Sequence, residues 1–149
     1  MKRSVYLKLS AVLVCVLALA GCDSPAASLS TIAKALGAGD FKTFSAKLDG
    51  AAFARYGNAA AFAELRAKLA PYQLKAGTSY YVRTDCYQTQ FECRDHLITH
   101  WIRILAAPAG EKKPKYVELN AATVQCIEVD HGVAQIESSC FVTAFDHDF

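Results

Sequence analysis

Four cysteines in the second half of the chain, Cys86, Cys93, Cys126 and Cys140, and two histidines on one short segment, His96 and His100, are the residues whose types and spacing could do chemistry. Paired thiols close disulfides, whereas thiolates with imidazoles hold zinc. The spacing Cys-x6-Cys followed by Cys-x13-Cys matches no compact ligand pattern such as Cys-x2-Cys. Zinc is therefore the rival reading and disulfides the preferred one. His96 and His100 lie in a stretch rich in β-branched residues, Ile98, Thr99, Ile102 and Ile104, which reads as a strand. Residues four apart on a strand share a face but stand roughly 13 Å apart. They cannot grip one ion together, and no metal ligand is assigned. A pocket in which His96 or His100 works with Asp85 as general base, beside Tyr80 and Tyr81, is the catalytic alternative. Against it, the chain carries no glycine-rich phosphate loop, no Gly-x-Ser-x-Gly elbow and no His-Glu-x-x-His pair. No enzyme activity and no cofactor are expected.

The start of the chain supplies an address. Lys2, Arg3 and Lys8 precede an uncharged apolar run over 9–20, too short for a stable membrane span, and the run ends in Leu19-Ala20-Gly21-Cys22. That tetrad resembles the bacterial lipobox. The resemblance implies that residues 1–21 are a signal peptide, cut just before Cys22, and that Cys22 becomes the acylated first residue of the mature protein. Residues 22–28 then form the lipidated cysteine and a short tether, and 29–149 a single domain. Asp23, directly after Cys22, resembles the signal that keeps some bacterial lipoproteins on the inner membrane, so the periplasmic side of the inner membrane is the expected location.

An exported chain folds where thiols oxidise, which leaves Cys86, Cys93, Cys126 and Cys140 for two disulfides. Four cysteines permit three pairings; Cys86 with Cys93 and Cys126 with Cys140 is preferred. Cys86 and Cys93 flank a six-residue loop that joins two strands. For the second pair, a two-residue turn at His131-Gly132 would put Cys126 opposite Glu137 and turn Cys140 to the other face. The pairing therefore requires a bulge or a longer turn.

The leader takes three of the sixteen basic residues and none of the fourteen acidic ones, leaving thirteen against fourteen. A nearly neutral surface argues against nucleic acid, whose phosphates need a basic stripe. Lys112, Lys113 and Lys115 sit among Pro108, Gly110 and Pro114 and read as a solvated loop, as does the tail Phe145-Asp146-His147-Asp148-Phe149.

The elements that must position these residues follow from periodicity. Leu29, Ile32, Ala33 and Leu36 mark one helix, stopped by Gly37 and Gly39. Asp40 caps a second, with Phe41, Phe44 and Leu48 as its stripe before a turn at Asp49-Gly50, and Asn58 caps a third, with Phe62, Leu65 and Leu69, ended by Pro71. From Thr78 the composition changes to β-formers, giving strands over 78–86, 96–105, 116–129 and 133–145. Helices followed by strands indicate an α+β fold, with N-terminal helices packed on a curved antiparallel four-stranded sheet. The stretch from Ile32 to Leu48, with Leu36-Gly37-Ala38-Gly39-Asp40 at its centre, resembles the opening helix pair of nuclear transport factor-like or cystatin-like cone folds. The resemblance implies a cone-like pocket; such folds include small enzymes, ligand carriers and non-catalytic membrane-tethered lipoproteins.

Tyr80, Tyr81, Tyr87, Phe91 and Trp101 form an aromatic set near the first two strands. With Ile98, Ile102 and Ile104 facing inward, alternation places Leu97, Trp101 and Arg103 on the other face, where Trp101 and Arg103 have the chemistry of a binding hot spot. The function expected is a non-catalytic protein-binding or accessory module, bound to the membrane through its lipid and to another envelope protein through that face. A carrier or enzyme using a pocket with His96, His100 and Asp85 is the alternative, and a purely structural envelope protein is the third.

Overall fold

A computed structural model describes residues 23–86, 93–131 and 136–149; the leader, Cys22, the aromatics Tyr87 and Phe91 and the turn position Gly132 lie outside the described residues. Among the described residues four helices precede a four-stranded antiparallel meander in the order β1-β2-β3-β4, and these helices pack on one face of the sheet. The expected α+β architecture is therefore present.

Helix α1 spans Pro25–Ala38. It starts four residues before Leu29, the first residue of the apolar repeat, because Ser24 accepts a hydrogen bond from the Ala27 N–H and Pro25 fits the first turn, where its missing N–H costs nothing. Gly39, at φ +72°, ends it, while Gly37 stays helical. Helix α2, Phe41–Ala46, is capped by Asp40, which accepts from the Thr43 N–H and hydroxyl. Leu48 lies beyond it in a parallel bridge to Val142, so the expected stripe is split between a helix and a strand-like contact. Asp49-Gly50 opens a further helix, α3, Gly50–Tyr56, which the sequence pattern did not announce; two buried residues four apart, Ala52 and Tyr56, are its whole core face. Helix α4, Ala59–Leu69, has the expected Asn58 cap and buries Phe62, Leu65 and Leu69.

The strands are β1, Tyr72–Asp85, β2, Asp95–Pro108, β3, Val117–Asp130, and β4, Ile136–Phe145. β1 begins directly after Pro71 because Leu74 and Ala76 already alternate against the core. At Gly77-Thr78 one extra residue opposes Arg103, a bulge that moves the inward-facing set from Ala76 to Ser79 and Tyr81. Cys126 pairs directly with Cys140, and Asp130 with Ile136, so a five-residue connection sets the register. The ladder irregularity between Thr123 and Val124 lies beyond the disulfide and is not what aligns the cysteines. Both disulfides, Cys86–Cys93 and Cys126–Cys140, are formed.

The core joins Leu29, Ile32, Phe44 and Leu65 of the helices to Ile102, Val124, Val142 and the Cys126–Cys140 bridge. The terminal pentapeptide is docked through Phe145 and Phe149, while Asp146, His147 and Asp148 are exposed. The buried Asn120 amide donates to the His147 carbonyl at 2.8 Å, the Tyr56 hydroxyl reaches Asp148, and the Phe149 ring packs edge-on to Phe145.

The two sheet edges differ. Along β4, the Val142 N–H donates to the Lys47 carbonyl and the Asp49 N–H to the Val142 carbonyl, both at 2.9 Å. Asp23 continues this cover: its N–H donates to the Ser138 carbonyl and its carboxylate accepts from the Cys140 N–H. Residues 23–28, read from sequence as a tether, are thus folded against the domain.

Candidate functional site

The residues with chemical potential fall into three separate places. The first is the hairpin end of the sheet, where the row Asp85, His96, Glu128 and Ser138 crosses all four strands on the helix-facing side. Arg83 donates to Asp85 at 2.6 Å, and this bond is the main reason the Asp85 carboxyl titrates below the usual carboxylate range. The same bond raises the Arg83 guanidinium. His96 Nδ1 lies 2.8 Å from the same carboxylate oxygen, but the direction is not that of a hydrogen bond, so the buried nitrogen has no hydrogen-bond partner. His100 sits four pairs along, its ring against Tyr81, and partial burial lowers its pKa against a smaller opposing pull from Glu128. His96 and His100 stay on one strand face and do not converge. Among the described residues no three His, Cys, Asp or Glu side chains gather as a metal site.

The second place is the helix-free face of the sheet. Tyr80 lies there, not in a pocket: it pairs with Trp101, and the two rings stack with centroids 4.9 Å apart and planes 17° from parallel. Tyr80 is 66% exposed and Val82 55%. Ile98, Ile102 and Ile104 are buried on the opposite side, which turns Leu97, Trp101 and Arg103 outward as alternation requires. Arg103 reaches Glu118 at 3.5 Å, an exposed pair that leaves the guanidinium available to a partner.

The third place escaped the sequence. A groove of about 920 Å3 opens between α1, α4 and the first residues of β1. Its floor includes Phe44, Ile104 and Phe145, and its helical walls are built from small residues, Ala33 and Gly37 on α1 and Ala63 and Ala67 on α4. Neither His96, His100 nor Asp85 lines it. The expected pocket is therefore apolar, and the polar candidates lie elsewhere because they sit beyond the length of sheet that the helices cover. The one signal for it was the alanine content of two helices, since side chains that small cannot fill the space over a sheet.

No family model, no curated protein and no solved structure matches the chain.

Proposed function

We propose that this protein is a non-catalytic binding module of the cell envelope, anchored through acylated Cys22 and docking a protein partner on its helix-free sheet face. The single observation that carries the docking reading is the stack of exposed Tyr80 on half-buried Trp101 beside exposed Arg103, aromatic and guanidinium groups of the kind that dominate protein interfaces. The anchor rests on Leu19-Ala20-Gly21-Cys22. The separation of the Asp85–His96 pair from the apolar groove supports a role without catalysis there, because neither side chain lines that groove.

The two halves of the proposal fit one geometry. Asp23 is hydrogen-bonded to Ser138 at the hairpin end of the sheet, so lipid on the preceding residue holds that end at the bilayer without slack. Trp101 lies five residues along β2 from His96, in the row that contains Ser138, a separation of about 17 Å at 3.3 Å per residue. The aromatic face then stands beside the membrane surface, within reach of the exposed part of a membrane protein. Two or more acyl chains hold it there durably, since each buried methylene contributes about 0.8 kcal/mol.

Crosslinking in intact cells tests the face. Trp101→Ala with Arg103→Ala removes the partner bands while the purified variant keeps its unfolding midpoint; an unchanged set of crosslinked proteins overturns the docking reading. Fractionation tests the anchor: Cys22→Ser shifts the protein out of the inner-membrane fraction, and retention there refutes lipidation at this position.

A further inference from the structure

The groove between α1, α4 and β1 has a charge pattern that the docking face does not explain. Lys34 and Arg66 line it, and among the described residues no Asp or Glu side chain does. Arg66 is fixed at one end of it: Nε donates to the Leu36 carbonyl at 2.9 Å and Nη2 lies 3.4 Å from the Gly37 carbonyl. These are carbonyls of the last turn of α1, where a cation is favoured, and the Leu36 carbonyl also accepts from the Gly39 N–H. Lys34 stands one turn earlier on the same helix and is exposed, whereas Lys75, between Leu74 and Ala76, turns its ammonium to the other face of the sheet, over the Tyr116 ring. Between Arg66 and the far end at Ala26, the groove follows α1 for eleven residues, about 16 Å at 1.5 Å per residue. Leu29, Ile32, Leu69 and Leu74 supply apolar walls along that length.

We propose that this groove binds a long-chain carboxylate, a single acyl chain laid along α1 with its anionic head at Arg66 and Lys34. The volume is within the roughly 300–1,000 Å3 of small-molecule sites. An apolar bore gives affinity through buried methylenes, and the one-sided charge at the mouth chooses the head group. A neutral or cationic amphiphile of equal length gains the first contribution without the second.

The assay uses the full-length Cys22→Ser chain, which removes lipid at position 22 and separates this site from the anchor. A fluorescent fatty acid is displaced by palmitate, hexadecanol or hexadecyltrimethylammonium. Palmitate displaces the probe best, hexadecanol about tenfold less well and the cation least, in keeping with two exposed charges at the head. Equal displacement by all three, or none by palmitate, overturns the proposal. Ala33→Trp and Ala67→Trp fill the groove from opposite walls, and each abolishes displacement; palmitate affinity unchanged in whichever variant keeps the parent unfolding midpoint also overturns it. Lys34→Glu lowers palmitate affinity about fivefold and leaves hexadecanol unchanged. Partner crosslinking through Trp101 is read separately and does not depend on this result.

Discussion

The N–H of Cys140 donates to the carboxylate of Asp23 at 3.3 Å, joining two residues 117 positions apart. The second carboxylate oxygen lies 3.3 Å from the Ser28 hydroxyl, and Lys47 closes an ion pair on the first. One side chain thereby holds the start of the domain, the loop after α2 and the edge of β4 around the disulfide-bearing strand. An open strand edge invites pairing with other chains, and this arrangement covers it.

Removing that carboxylate leaves the Cys140 N–H and the Lys47 ammonium without their partner. Asp23→Ala is expected to cost about 1–3 kcal/mol, the usual penalty for orphaning partly buried polar groups. Amide exchange at Cys140 should accelerate with it. Native protection of that amide in the variant would show that the edge is held by other contacts.

The two disulfides differ in how much packing goes with them. Cys126 and Cys140 are buried at 2% and 0% exposure, with 14 residues of sequence separation; Cys86 and Cys93, separated by 7, sit at the exposed hairpin end. Loop closure alone assigns about 3 kcal/mol to the longer loop and about 2.5 to the shorter. Replacing Cys126 and Cys140 together by alanine also opens a space in the core, so its cost exceeds that of Cys86→Ser with Cys93→Ser. Urea unfolding of the two double variants measures the order, and a reversed order would contradict the core position of the inner bridge.

Acid acts first through His100. Burial lowers its pKa below the ordinary 6.5, so the unfolded chain takes up the proton before the folded one does. Its contribution is therefore complete above pH 6.5 and is lost as pH falls from there through the folded value. Asp85 and Asp40 are also lowered, by Arg83 and Thr43 respectively, and their contributions are lost only as pH falls below 3.8. His100→Asn should flatten the decline in unfolding midpoint in the upper window and leave the lower one intact. Equal slopes for both proteins near pH 6 would refute the assignment.

The bulge in β1 depends on Gly77. A Cβ there would lie 3.0 Å from Leu105 Cγ and 3.2 Å from Arg103 Cβ, closer than side chains on adjacent strands normally pack. Gly77→Val is expected to cost about 1–3 kcal/mol through this overcrowding. It should also weaken the near-ultraviolet circular dichroism of the Tyr80–Trp101 stack, since the bulge sets which tyrosine meets Trp101. A native aromatic signal would mean the stack is placed independently of the bulge.

Much of this molecule was legible before folding. Asp40 and Asn58 announced their helices because a cap is a contact over three residues, and Phe62, Leu65 and Leu69 showed the core face of α4 for the same local reason. Alternation along β2 was equally local, and it placed Trp101 and Arg103 opposite Ile102. Helix α3 was missed because seven residues carry barely two turns of pattern. The start of α1 was missed because its first turn is held by a cap and by Asp23, not by an apolar stripe.

By itself the sequence determined three of the four helices, the four strands, their order and the face of Trp101, all quantities set by neighbours within a few positions. The tertiary structure decided the register, with Asp130 paired to Ile136, the closure of β4 by Asp23 and Lys47, and the groove that alanines leave between helices and sheet. Those depend on residues distant along the chain meeting in space, and on the volume left where they do not. No local pattern encodes either.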